Sequence, residues 1–74
     1  MAMASTSCSV ESIGETAGII WHTLNESGPL PVSKLVDEVG APKDLAMLAL
    51  GWLAREGKIT IEESGRKKTV ALRD

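Results

Sequence analysis

The sequence predicts an α+β fold that is mainly helical, with three helices followed by a C-terminal two-stranded β-hairpin. Three observations carry that expectation. Val10, Ile13, Ala17, Ile20, Trp21 and Leu24 recur at helical spacing and form one apolar stripe. Two further helical segments follow, separated by Gly40-Ala41-Pro42, which interrupts any continuous helix. After Gly57 the period changes from helical to alternating, in KITIE (58–62) and again in KTVAL (68–72).

The first helix is expected from about Glu11 to Glu26. Either Ser9 or Ser12 can cap it, and Ser12 with Glu15 three residues on has capping-box spacing. Gly28 suits the left-handed closing position and Pro29 bars continuation. Gly14 and Gly18 stand four apart inside this helix, where each costs stability relative to alanine. Close approach by another backbone is the expected return, usually within one chain and less often with a partner. Leu30-Pro31-Val32 is too short for more than a stub of strand. Ser33 then caps a second helix, Lys34 to Val39, in which Leu35, Val36 and Val39 share a face and Gly40 ends the run. Pro42 suits the first position of the third helix, where its missing N–H costs nothing, and that helix ends at Gly57. In the hairpin, Ile59 and Ile61 share one face of the first strand, and Val70 and Leu72 one face of the second. Glu63 to Lys67 has turn chemistry.

A chain of 74 residues allows one domain, assigned here to residues 9–74, with residues 1–8 expected as a disordered tail. So short a chain buries a modest fraction of its surface and, without disulfides or a metal cage, relies on good packing or a partner. Apolar residues make up 43% of it, which argues against general disorder. There is no Phe or Tyr, so Trp21 and Trp52 are the only large aromatic groups. The formal charge of −2 leans away from a nucleic-acid binder, although local patches can still be basic. Cys8 is the only cysteine, which rules out an internal disulfide and fits a reducing, cytoplasmic setting. No run is long enough to span a bilayer, and MAMASTSCSVES lacks the basic and apolar regions of a secretory signal.

The order helix, strand stub, helix, turn, helix, hairpin resembles the winged helix-turn-helix superfamily. The resemblance rests on the short helix opened by Ser33, the Gly40-Ala41-Pro42 turn, and the run Leu50-x-x-Leu53-x-x-x-Gly57-x-Ile59 that leads into the hairpin. It covers residues 10–73 and implies that the hairpin is the wing. More narrowly, GETAGIIWHTL together with ALGWLAREGKI resembles a small prokaryotic winged-helix family of unknown function. That narrower resemblance implies a stand-alone, self-associating domain with no activity to carry over.

The third helix is the most informative segment. Within PKDLAMLALGWLARE (42–56) apolar residues lie on nearly every side, too many for one core-facing stripe. Two registers are open. In the register anchored by the Gly57–Ile59 spacing, Ala46, Ala49, Leu50 and Leu53 face the core; Leu45, Leu48 and Trp52 form an outer stripe with Met47 beside it. In the other, Leu45, Leu48, Ala49 and Trp52 are core, and Met47, Leu50 and Ala54 point outward with Lys43. Either leaves an apolar stripe uncovered, which marks an interaction surface, and a symmetric homodimer is the commonest way for a small chain to hide one. The first register is favoured and makes Leu45, Met47, Leu48 and Trp52 the candidate dimer interface. The competing reading is that the other helices, the hairpin and the tail cover both stripes within one chain.

A DNA-reading helix offers Arg, Lys, Asn, Gln, Ser or Thr to base edges and phosphates. The third helix offers Lys43 near its start and Arg55 near its end, with Asp44 nearby to repel phosphate. The wing is better equipped, since Arg66, Lys67 and Lys68 can contact phosphates without reading sequence. The same charges can instead be solvated and discourage edge-to-edge sheet pairing, and Glu62 and Glu63 dilute their field.

Motifs for catalysis are missing. His22 is the only histidine and nothing has zinc-site spacing. There is no glycine-rich phosphate loop and no nucleophile turn. Asp37-Glu38 and Glu62-Glu63 are sequence neighbours, whose side chains point apart on a helix or strand. No cofactor, metal, membrane or small-molecule substrate is expected. The expectation is a non-enzymatic, cytoplasmic interaction module, homodimeric through the apolar face of the third helix and linked to transcription. The alternative is a DNA-binding transcriptional regulator that uses the third helix and the basic wing together.

Overall fold

The computed structural model describes residues 9–73; the tail assigned to residues 1–8, with Cys8, lies outside them, as does residue 74. The elements in chain order are α1 (Val10–Ser27), β1 (Leu30–Pro31), α2 (Val32–Val39), α3 (Lys43–Arg55), β2 (Ile59–Ser64) and β3 (Lys67–Leu72).

Ser9 begins α1. Its backbone is extended, and its hydroxyl oxygen accepts the N–H of Ser12 at 3.1 Å, which satisfies one of the unpaired donors of the first turn. The Ser12–Glu15 capping box is therefore not used, because Ser12 already lies inside the helix. Gly28 ends α1 at φ +79° and ψ −167°, a backbone region open essentially to glycine alone, and donates to the Leu24 carbonyl at 2.8 Å.

The start of α2 differs from expectation. Pro31 stands at the cap position, the helix begins at Val32, and Ser33 caps nothing. The cause is distant in sequence: Leu30 and Pro31 pair with Val70 and Thr69 of β3. That pairing holds Pro31 extended, and the helix starts at the next residue. Pro42 likewise sits one position earlier than expected, at the cap of α3. α3 ends in a Schellman arrangement, with the Gly57 N–H donating to the Ala54 carbonyl at 3.1 Å and the Lys58 N–H to the Leu53 carbonyl at 3.0 Å. Gly57 has φ +74°, which explains the glycine at that fixed distance before Ile59.

The strand stub enlarges the expected hairpin to a three-stranded antiparallel sheet in the order β1-β3-β2, with β3 in the centre. Ser64 and Lys67 close the hairpin across a two-residue turn, Gly65-Arg66, tighter than the expected five-residue one. Gly65, at φ +61°, holds the first central position, the one a type II′ turn assigns to glycine.

The core takes Ala17, Ile20 and Leu24 from α1, Leu35 from α2, Ala49, Leu50 and Leu53 from α3, and Ile59 and Val70 from the sheet. Val10 and Trp21, both in the expected α1 stripe, stay exposed. Ile61 lies directly across from the buried Val70 but belongs to the edge strand β2, and it too is exposed. Three helices with a short turn between α2 and α3, followed by a β-hairpin, are the winged helix-turn-helix architecture.

Candidate interaction surfaces on the third helix

α3 packs against α1, α2 and β2, and its buried face is wider than one stripe. Ala46, Ala49, Leu50 and Leu53 are inside, as the favoured register requires. Leu45 is inside as well, at 6% exposure, which corrects its assignment to the outer stripe. The reason is enclosure from several sides: Leu45 flanks Ala49 one turn along, and a helix held by three neighbours buries more of its circumference than one resting on a single layer. Met47, Leu48 and Trp52 remain outside at 43%, 47% and 42% exposure.

Two grooves border this outer face. The first lies between α3, α2 and the wing. Lys43 and Met47 of α3 meet Arg66, Lys67 and Lys68 of the wing there, with Pro31 of β1 and Val32, Ser33, Val36 and Asp37 of α2 completing the wall. Four of the five residues expected to touch nucleic acid are thus brought together, while Arg55, near the far end of α3, does not line this groove. Lys68 also faces its cross-strand neighbour Glu63, with Nζ to Oε2 at 3.8 Å and both side chains well exposed. Lys43, Arg66 and Lys67 form no ion pair among the described residues. The groove can present cations to an anionic backbone. It supplies no Asn or Gln with which to read bases.

The second groove lies between α3 and α1. Gly14, Gly18 and Trp21 come from α1, Trp52 and Leu53 from α3, and Glu56 and Lys58 from the junction after it. Leu48 is one turn before Trp52 on the same flank of the helix. The close backbone approach expected at Gly14 and Gly18 does not occur among the described residues, where a Cβ added at either would meet nothing within 4 Å. His22 is exposed beside this groove, and its ring sits edge-on to Trp21 with centroids 5.4 Å apart. Among the described residues no group of acidic, histidine or cysteine side chains could hold a metal ion, and no helix is long and apolar enough to cross a membrane.

The wall supplied by α2 does not follow from the sequence pattern, nor do the roles of Trp21, Glu56 and Lys58. Trp21 carries a legible signal. By helical spacing it falls beside Gly14 and Gly18, at the margin of the apolar stripe and not at its centre.

Residues 6–72 match the family described as Winged helix-turn-helix domain (DUF2582). The chain belongs to this family. The match agrees with the narrower resemblance to a winged-helix family without an assigned role. Among its relatives, the uncharacterized protein MJ1608 of Methanocaldococcus jannaschii is 36% identical over 63 residues, spanning 82% of this chain and 90% of that protein. The solution NMR structure of BT2368 from Bacteroides thetaiotaomicron is similar with a TM-score of 0.75 and 34% identity, over 84% of this chain and 76% of that one. A structure from work on the DNA recognition and protein interaction domains of HOP2 is similar with a TM-score of 0.66 and 32% identity, over 78% of this chain and 98% of that one.

Proposed function

We propose that this chain is a non-enzymatic winged-helix interaction module that self-associates through the outward face of α3 and serves transcription-linked assemblies. The observation that carries the reading is the pair Leu48 and Trp52, one turn apart and both more than two-fifths exposed on a helix whose opposite side, Ala46, Ala49, Leu50 and Leu53, is buried in the core. Met47 adjoins them. Burying such a side chain completely gains roughly 1.5–3 kcal/mol, so three that are already half-buried gain roughly 2–5 kcal/mol together. Association itself costs an estimated 4–15 kcal/mol. The face of α3 alone falls short, and a stable pair needs adjoining surface as well.

Sedimentation equilibrium over a range of concentrations tests the reading. The wild-type chain is expected to pair, and Leu48→Asp is expected to be monomeric with an unchanged circular dichroism spectrum, because Leu48 stands outside the core. A wild-type chain that stays monomeric at millimolar concentration removes the reading.

A second reading is favoured by a separate observation, the meeting of Lys43 with Arg66, Lys67 and Lys68 around one groove. In it the domain also grips a nucleic-acid backbone without selecting sequence. The DNA recognition named for the HOP2 structure supports this reading, and the net charge of −2 weighs against high affinity. Titration of mixed-sequence duplex DNA at rising salt is the test. Saturable binding with a steep salt dependence that relies on Arg66 and Lys67 supports it, and no binding at low salt rejects it.

A further inference from the structure

Resting on the self-association reading above, we propose that the groove between α1 and α3 is the docking site for the same groove of a second copy. In this two-fold pairing Trp52 of each copy lies on the Gly14–Gly18 shelf of the other, and Glu56 of each faces Lys58 of the other.

The monomer gives no reason for either glycine on the shelf. The glycines with positive φ are Gly28, Gly40, Gly57 and Gly65, so the backbone does not require glycine at positions 14 or 18. Among the described residues nothing approaches within 4 Å of where their side chains would be, so packing there does not require it either. Both are exposed in mid-helix, where glycine is a poor choice. They lie in the groove that holds the half-exposed indoles of Trp21 and Trp52. A flat shelf beside projecting rings is a shape that its own copy can fill.

Charge identifies the occupant as a second copy. An interface about a two-fold axis places one patch against itself, so the patch must be self-complementary. The α1–α3 groove carries one anion, Glu56, and one cation, Lys58, both exposed. Neither takes part in an ion pair among the described residues. Apposing two such grooves in opposite directions matches each charge with its opposite. A strongly basic or acidic partner would leave one of them facing its own sign.

The test compares the full chain with Gly14→Ala/Gly18→Ala, Glu56→Lys and Lys58→Glu, by sedimentation equilibrium and by thermal unfolding at a concentration where the wild type is monomeric. The double alanine variant is expected to melt higher than wild type as a monomer and yet to pair about tenfold or more weakly. Each charge reversal alone is expected to weaken pairing, and an equimolar mixture of the two to recover it, because only the mixed dimer matches every charge. Leu48→Asp is the control for the underlying reading. If Leu48→Asp is monomeric while the double alanine variant pairs like wild type, or the mixture pairs no better than either reversal alone, this geometry is wrong and pairing through α3 survives. A monomeric wild type overturns both.

Discussion

On the side of α3 that faces α2 and the wing, Lys43 and Met47 stand opposite Arg66, Lys67 and Lys68. On the side that faces α1, the neighbours across the groove are two glycines and Trp21, and α3 contributes Trp52. A surface helix normally divides into one buried and one polar face. α3 divides its outer face again, into a flank that carries charge and a flank that is mostly apolar. The forces available to the two flanks respond in opposite ways to salt. Coulombic attraction to an anionic backbone weakens as salt rises, whereas burial of apolar surface is strengthened by salts such as sulfate. One titration with sulfate therefore separates the two flanks, weakening any DNA binding while preserving or tightening self-association.

The comparison can be broken outright by removing what both flanks share. Leu53 belongs to the core that supports both, and Leu53→Ala is expected to cost about 2–5 kcal/mol of stability. In a domain this small each kcal/mol lowers the melting temperature by roughly 4–8 °C. Both binding properties should disappear together in a thermal melt followed by binding assays. Trp52→Asp is next in size. It should abolish self-association while shifting the melting temperature of the monomer by only a few degrees, and mixed-duplex binding should persist; unfolding instead would show that Trp52 belongs to the core. The mirror-image change is Arg66→Ala with Lys67→Ala. Sedimentation should be unaffected, and the slope of log binding constant against log salt should fall by about 2, near 0.9 for each phosphate no longer neutralised. Lys68→Ala should do least. It breaks an exposed pair with Glu63, so stability should change by less than about 1 kcal/mol in urea unfolding.

The parts of the fold that depend on neighbouring residues are legible in the sequence. Ile13, Ala17, Ile20 and Leu24 of the α1 stripe, the glycines that end α1 and α2, and the inward positions Ile59, Val70 and Leu72 of the hairpin rest on interactions a few residues long, and they stand where the pattern puts them. Ser33 misleads because a capping pattern is local while the start of α2 is fixed by strand pairing about forty residues away. Leu45 misleads for a related reason. Helical spacing ranks the positions around a helix, but the width of the buried arc depends on how many elements surround it. Of the site, spacing leaves two registers, and the one anchored by Gly57 and Ile59 puts Met47, Leu48 and Trp52 on the outside; the run of wing cations is legible directly. Spacing cannot show that Lys43 and the wing line one groove while Arg55 stands apart, because that depends on how the turn at Gly40–Pro42 and the hairpin orient separate segments. Nor can it show that Gly14 and Gly18 face open space, since the same pair would suit a tight approach inside the chain.

The position of β3 has a consequence for assembly of the chain in time. The central strand is the last of the described elements, and it receives β2 from just before it and β1 from much earlier. Val70, one of the most deeply buried side chains, lies only a few residues from the C-terminal end of the described segment. A polypeptide emerging from a ribosome can form its helices early, but it cannot seal their apolar sides until β3 is free to slot between β1 and β2. Long-range closure of this kind is the slow part of folding in small domains. Until that last strand arrives, the α-helical portion is left with an open seam.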